Sequence, residues 1–147
     1  MTLISLRHRH AHDTALLLLR VMAGIVFAYH GAGKLFGAFG GPGITGFSGY
    51  LGSLGIPFPL INAWLAAGTE FFGGLALIAG IGVRWASIPL TVTMLVASFV
   101  VNGKAFAATN GGLEYSLTLA VVSAALGLLG AGRFSLAALV RRTATQS

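Results

Sequence analysis

The chain has 147 residues, of which 56% are hydrophobic and only 8% are charged, and its formal net charge is +6. Because soluble domains average about 25% charged residues, this composition excludes an ordinary soluble domain and predicts an all-α integral membrane protein. The chain has no cysteine, which excludes disulfides, thiolate nucleophiles and Cys-ligated zinc or iron–sulfur clusters. The basic residues lie at the ends of apolar runs, which favours a role in membrane topology over nucleic-acid binding.

Four apolar segments predict a bundle of four transmembrane helices. They run from Thr14 to about Gly33, from Leu60 to Val83, between Arg84 and Lys104, and between Glu114 and Arg133. Each is long enough to cross most of a hydrocarbon core of about 30 Å. Pro89 is expected to kink the third helix without ending it, because neighbouring groups can satisfy the freed carbonyl. Small residues at four-residue spacing, such as Gly24, Ala28 and Ala32, predict close helix packing.

The basic residues also predict the orientation of this bundle. The end that holds both termini gathers six arginines, namely Arg7, Arg9, Arg84, Arg133, Arg141 and Arg142. The opposite end holds only Lys34 and Lys104. By the positive-inside rule both termini are expected in the cytoplasm, and the loops 34–59 and 102–113 outside. The predicted organisation is a cytoplasmic tail over residues 1–13, a transmembrane domain over 14–133 and a basic cytoplasmic tail over 134–147.

The loop over residues 37–59 is rich in glycine and aromatic residues. Within it Ile44, Phe47, Leu51 and Leu54 recur at three- to four-residue spacing. This spacing predicts a short amphipathic helix on the outer surface, and the aromatic residues favour an interfacial lid. The alternative is a flexible linker, which the many glycines would also suit.

Glu70 is the first candidate for a functional residue. It lies near the middle of the second apolar segment and is one of only three acids, with Asp13 and Glu114. A carboxylate at this depth costs a few kcal/mol, so it needs a partner, a proton or a water-filled cavity. Counting residues along the helices places Arg20 within side-chain reach of Glu70 and predicts an ion pair. Such a pair could act in chemistry or be purely architectural.

A second polar layer is predicted at the outer face of the bundle. His30 and Lys34 are four residues apart and should share a helix face, while Lys104 and Glu114 bracket the third loop. The aromatic residues expected around this mouth are Tyr29, Trp64, Phe71 and Phe72. A polar mouth over an apolar shaft suits an amphipathic ligand such as a quinone. In the alternative interpretation both lysines only extend to the interface, and Glu114 caps the fourth helix.

Three histidines, His8, His10 and His12, alternate near the N-terminus and precede Asp13. Such a set could bind a transition metal. The alternating arginines would repel a divalent cation, however, so a solvated tail that meets anionic lipid is the favoured interpretation. No metal site is therefore predicted.

Three strings in the chain are distinctive: LLLRVMAGIVFAYHGAGKLFG, SLGIP and EFFGG. Over most of residues 15–130 the chain resembles the DoxX family of small bacterial membrane proteins, most specifically in the Arg…His-Gly-x-x-Lys-Leu-Phe string. The matching positions are Arg20, Gly24, His30, Gly31, Lys34, Leu35, Phe36, Glu70, Gly73 and Gly74. The resemblance implies a multi-pass, four-helix protein of the bacterial plasma (inner) membrane that is associated with redox systems. The related DoxD-type subunit belongs to a thiosulfate:quinone oxidoreductase, and other members are linked to complexes that handle thiol or oxidative stress.

The expected function is therefore that of a membrane subunit in a quinone-linked oxidoreductase system. Glu70 and His30 would exchange protons with the quinone, Arg20 would hold Glu70 ionised and oriented, and Lys34 would attract an anionic substrate. The residues expected to contact the quinone are Lys34, Tyr29, Trp64, Phe71 and Glu114. No intrinsic cofactor is expected beyond a bound quinone, and the expected partners are the lipid bilayer and either a soluble redox protein or further copies of the chain. Two alternatives stay open, a non-catalytic scaffold that anchors a soluble redox protein and a small transporter.

Overall fold

The computed structural model describes residues 3–144, which form helices and connecting turns with no strand among them. The six α-helices are α1 Leu3–Phe36, α2 Gly43–Ser53, α3 Pro59–Ala79, α4 Val83–Val96, α5 Glu114–Leu129 and α6 Leu136–Ala144. Two short 3-10 turns, Ala38–Gly40 and Ala108–Asn110, and a π-helical turn, Ala97–Val101, complete the order. The segment before position 14, which the sequence predicted as a tail, is thus part of helix α1 from Leu3 onward.

Three helices of the described region are long and apolar enough to cross a membrane. They are His10–Phe36 within α1, Pro59–Ala79, and Val83–Val101, in which the π-helical turn extends α4. Helix α5 is apolar but shorter, since it ends at Leu129 and is followed by Gly130, where the chain takes a φ of 83°. Helix α4 continues through Pro89, as predicted. The all-helical membrane bundle is confirmed, whereas only three of the four predicted segments reach spanning length.

The outward faces of these helices are strongly apolar. The most exposed large side chains include Leu18, Met22, Leu65, Phe72, Trp85 and Leu128, the last of them 82% exposed. Exposed apolar surface of this extent marks a contact with lipid or with another protein. Its distribution over the three helices of spanning length and over α5 agrees with a bilayer as the solvent.

Helices α1 and α3 pack against each other through glycines. A Cβ atom at Gly24 would lie 2.7 Å from the carbonyl oxygen of Gly74, and one at Gly74 would lie 2.5 Å from the backbone nitrogen of Ala28. Gly31 lies equally close to the backbone of Phe71. The two backbones are therefore in direct contact, which only small residues allow. This contact also fixes which residues of α1 and α3 lie at the same level.

Helix α2 packs against α3 and the end of α1. Leu51 is buried, and Ile44 and Phe47 are half-buried, so the apolar side of α2 faces the bundle. The predicted amphipathic helix is confirmed, and the flexible linker is wrong for this segment. Leu54 is the exception, because it follows the end of the helix and is 38% exposed.

Candidate functional site

A cavity of about 440 Å³ lies between the end of α1, α2, the first half of α3 and the second half of α4. Small-molecule sites in proteins have volumes of roughly 300–1,000 Å³. Its walls are mostly apolar and include Phe47 and Leu51 from α2 and Val92 and Val96 from α4. Polar side chains also line it, namely Lys34, Tyr50, Asn62, Thr69, Glu70, Thr93 and Asn102. We call this space the Lys34–Glu70 cavity.

An ion pair forms part of the wall of the Lys34–Glu70 cavity. The Nζ atom of Lys34 donates to both carboxylate oxygens of Glu70, at 2.6 Å each. The Glu70 side chain is 2% exposed and the Lys34 side chain 25% exposed, so the carboxylate is buried while the ammonium group borders open space. Lys34 is therefore the partner that a carboxylate at this depth requires.

The predicted pairing of Glu70 with Arg20 is wrong. The prediction assumed that Gly33 and Leu60 both lie at the outer edge of the membrane and therefore at the same depth. In the structure, Gly31 of α1 packs against Phe71 of α3. Because α1 and α3 run in opposite directions, this register places Arg20 beside Gly80, at the far end of α3. Glu70 lies about ten residues earlier, or about 15 Å along the helix axis, so Arg20 does not orient it.

Arg20 instead holds the connection between α5 and α6. Its side chain is buried, with one terminal nitrogen donating to the carbonyl of Ala131 at 3.0 Å and the other to the carbonyl of Phe134 at 2.7 Å. Gly80 leaves the space that the guanidinium fills, since a Cβ atom there would collide with it. Arg20 thus acts at the opposite end of the bundle from Glu70.

His30 lies one helical turn before Lys34 but does not line the Lys34–Glu70 cavity. Its Nε2 atom is 3.3 Å from the hydroxyl of Tyr115 on α5. It borders a separate space of about 300 Å³ that Lys34, Phe47 and Tyr50 also line, which we call the His30 cavity. Lys34 therefore lies at the boundary between the two cavities, with the imidazole on one side and the Glu70 carboxylate on the other.

The predicted aromatic residues are not gathered around Glu70. Tyr29 stacks on Phe39 at a centroid distance of 4.6 Å and lines the His30 cavity. Trp64 is 54% exposed and Phe71 packs against Phe36 and Phe72, and neither lines the Lys34–Glu70 cavity. The reason is helical geometry, because positions 64 and 71 lie on a different face of α3 from position 70.

The residues that sequence reasoning missed lie on the face of α3 that does carry Glu70, and on the helices opposite it. Asn62 and Ala66 precede Glu70 by eight and four residues, which brings them to its side of α3, and Thr69 lines the cavity from the adjoining position. The 3–4 spacing from Glu70 back to Asn62 was the available signal. Tyr50 and Thr93 come from α2 and α4, and no local pattern relates them to Glu70.

The two charged residues of the third loop lie apart from this site. The Oε1 atom of Glu114 accepts a hydrogen bond from the backbone nitrogen of Ala108 at 2.6 Å, which closes the loop before α5. Lys104 is exposed. Neither residue lines the Lys34–Glu70 cavity, so the prediction that Glu114 contacts the same ligand as Glu70 has no support in this geometry.

The histidines near the N-terminus are also away from the cavity. His10 and His12 are exposed, and the side chain of His8 lies outside the described residues. The described side chains contain no group of three potential metal ligands. Asp13 is buried, and it contacts a residue near the other end of the sequence. Its Oδ1 atom accepts a hydrogen bond from the backbone nitrogen of Arg133 at 3.3 Å.

Comparisons with known proteins place this arrangement in a family. The model of the DoxX family matches residues 15–103, which include every residue that lines the Lys34–Glu70 cavity. The chain is 32% identical over 110 residues to "Putative oxidoreductase CatD" of Bacillus subtilis (strain 168), covering 75% of this chain and 76% of that protein. No solved structure matches the chain. The apolar helices of spanning length and the name of this relative fit an oxidoreductase-associated role at a membrane. The match to the family model and this relative show that the chain belongs to the DoxX family.

Proposed function

We propose that this protein is the membrane subunit of a quinone-linked oxidoreductase system, and that the Lys34–Glu70 cavity receives the quinone headgroup. The observation that carries the proposal is a buried ion pair in the wall of a mostly apolar cavity among helices of spanning length. An apolar pocket with a few convergent polar groups is typical of sites for amphipathic small molecules. The family membership and the name of the relative support a redox role, and thiol, thiosulfate or oxidative-stress chemistry is the corresponding class of system.

The ion pair supplies what a quinone needs from a protein. Reduction of a quinone to a quinol takes up two electrons and two protons, one proton at each carbonyl oxygen. Lys34 can donate a hydrogen bond to one of those oxygens and transfer its proton as negative charge develops there, while the other oxygen would take its proton from water that enters the cavity. Glu70 would then keep the vacated amine in place through the contacts of its two carboxylate oxygens. Thr93 and Asn102 also line the cavity, and their hydroxyl and amide groups would orient the ring.

Protons would reach Lys34 from the His30 cavity. His30 and Lys34 both line that space, and imidazole exchanges protons readily near neutral pH. Lys34 lines both cavities, so it could be reprotonated from one side after donating on the other. The electrons would come from a soluble partner protein, because a chain without cysteine cannot supply a thiol–disulfide couple or a Cys-ligated cluster.

The proposed setting is the plasma membrane of a bacterium, with α5 as a fourth span and both termini in the cytoplasm. Helix α5 has 16 residues and thus covers about 24 Å, somewhat less than a typical hydrocarbon core. Its apolar composition and its packing along α4 favour a membrane position. The arginines near both termini and the scarcity of basic residues at the other end support the orientation.

A quinone titration tests the proposal directly. The full chain in lipid nanodiscs would be titrated with a short-chain ubiquinone analogue, with quenching of tryptophan fluorescence as the readout. We expect saturable binding that Thr93→Val weakens about fivefold, the typical effect of one lost hydrogen bond, and that Lys34→Gln weakens about tenfold or more, because the donor is charged. Thr93→Val leaves the ion pair in place, so it reports on binding even where the lysine variant folds poorly.

Lys104→Gln is the matched control, because it removes the same charge from an exposed position outside the cavity. It should leave the dissociation constant unchanged. Equal affinity in Lys34→Gln and the unsubstituted protein would contradict the proposed site. Failure of the unsubstituted protein to bind the quinone would contradict the proposed function and favour a non-catalytic scaffold.

A further inference from the structure

A third cavity, of about 460 Å³, lies at the opposite end of the bundle from Glu70, lined by residues of α1, the end of α3 and the start of α6 with the turn before it. We call it the Arg20 cavity. Two arginines line it, Arg20 and Arg133. Most of its remaining surface is apolar and includes Leu17, Ile78, Leu136 and Leu139. Two arginines thus line a space whose other walls are rich in leucine.

The charge of Arg20 is not neutralised by the described part of the protein. The side chain is among the most deeply buried, at 2% exposed. Its two terminal nitrogens donate to neutral carbonyls, and its Nε atom has no hydrogen-bond partner among residues 3–144. The ion pairs of the described residues join Lys34 to Glu70 and Arg133 to Asp13, so none involves Arg20. A buried cation without an anionic partner is costly.

Among the described residues, Asp13 is the acid at this end, and it does not remove the imbalance. The Oδ2 atom of Asp13 is 4.0 Å from the Nε atom of Arg133, and its Oδ1 atom accepts from the Arg133 backbone. Asp13 thus pairs with Arg133, and Arg20 has no anionic partner among the ion pairs of residues 3–144. The side chain of Arg133 is 56% exposed, so it remains accessible to an anion that enters the cavity.

The walls identify the kind of anion. A small inorganic anion would be bound by polar groups on several sides, but apart from the two arginines and Ser135 this cavity is lined by apolar side chains. The apolar residues Leu139 and Val140 of α6 are 55% and 67% exposed beside it, as in a helix lying at a membrane interface. A molecule with a phosphodiester and acyl chains satisfies both halves of the cavity.

The geometry points to the Arg20 cavity as a binding site for an anionic phospholipid. Its phosphodiester lies against Arg133, within the field of the Arg20 charge, and one acyl chain runs along Leu17, Ile78 and Leu139. Guanidinium groups bind phosphate oxygens with charge-assisted hydrogen bonds. Basic pockets between helices at the membrane interface bind anionic lipid headgroups by the same chemistry. This inference does not depend on whether the Lys34–Glu70 cavity binds a quinone.

Native mass spectrometry of the full chain in mild detergent tests the inference. Phosphatidylglycerol and phosphatidylcholine with identical acyl chains would be added in separate titrations. We expect phosphatidylglycerol to bind more tightly than phosphatidylcholine, and Arg133→Gln to weaken it about fivefold, the effect of one arginine at an anionic lipid surface. Leu139→Glu places a carboxylate in the apolar wall, and should weaken phosphatidylglycerol binding without altering the Asp13 contact.

Arg84→Gln serves as the matched control. Arg84 is an exposed arginine that lies near Gly130, at the same end of the bundle, but it does not line the Arg20 cavity. It should keep the affinity of the unsubstituted protein. Equal binding of the two lipids, unchanged binding in Arg133→Gln, or an equal loss in Arg84→Gln would each overturn the inference. Displacement of phosphatidylglycerol by inorganic phosphate would also overturn it, by showing a site for a free anion.

Discussion

Replacing Lys34 by methionine is expected to lower the free energy of unfolding by about 3–5 kcal/mol, the usual cost of removing one partner from a buried ion pair. The Glu70 carboxylate is 2% exposed, and both of its oxygens accept from the Lys34 ammonium group at 2.6 Å. Methionine fills similar space but offers no donor, so the carboxylate is left without its charged partner. Unfolding in mixed detergent micelles, followed by circular dichroism, would measure the change.

Two further variants separate the loss of the pair from the loss of a lysine. Lys104→Met removes an exposed lysine and should change stability by no more than about 0.5 kcal/mol. The double variant with Lys34→Met and Glu70→Gln should recover a large part of the stability, because no buried charge then lacks a partner. Similar losses in Lys34→Met and Lys104→Met would show that the pair does not hold the structure together.

A single methyl group at Gly74 is expected to destabilise the protein by about 2–3 kcal/mol, at the upper end of the range for overpacking. A Cβ atom there would lie 2.5 Å from the backbone nitrogen of Ala28 and 2.7 Å from the carbonyl oxygen of Gly24. These neighbours are backbone atoms, so no rotamer change can relieve the collision, and α1 and α3 must move apart. The same unfolding assay applied to Gly74→Ala measures the effect.

Gly68 provides a control within the same helix. Nothing lies within 4 Å of a Cβ atom at Gly68, so Gly68→Ala should stabilise α3 by about 0.5–1 kcal/mol through its higher helix propensity. The two substitutions are chemically identical and should therefore have effects of opposite sign. A stabilised Gly74→Ala variant would contradict the direct backbone contact between α1 and α3.

Most of this fold could be predicted from the sequence because the hydropathy and spacing patterns that indicate each helix lie within one segment of the chain. The three spans of full length, the passage of α4 through Pro89 and the amphipathic helix α2 all follow from the spacing of residues within one segment. The register between two helices is not a local property. Counting from assumed membrane boundaries placed Arg20 beside Glu70, whereas the contact between Gly31 and Phe71 shifts the helices so that Arg20 lies beside Gly80.

The candidate site could likewise be predicted only where the pattern was local to one helix. Glu70 was identified because a carboxylate in an apolar segment needs a partner, but the partner could not be selected without the register. Lys34 has the sequence context of a lysine that extends to the interface, yet its ammonium group turns inward and also lies 5.1 Å from the ring centroid of Phe47. That contact comes from α2, whose position over the cavity depends on packing rather than on its own sequence.

Photolabelling with a quinone analogue that carries an azide on its ring is the most direct test of the Lys34–Glu70 cavity as a quinone site. After illumination in nanodiscs, mass spectrometry would locate the labelled residues. The proposed site predicts label on residues that line the cavity, such as Tyr50, Thr69 and Thr93, and its loss when excess unlabelled short-chain quinone is present. Label confined to lipid-facing residues such as Leu18, Trp85 and Leu128, without competition by the unlabelled quinone, would contradict it.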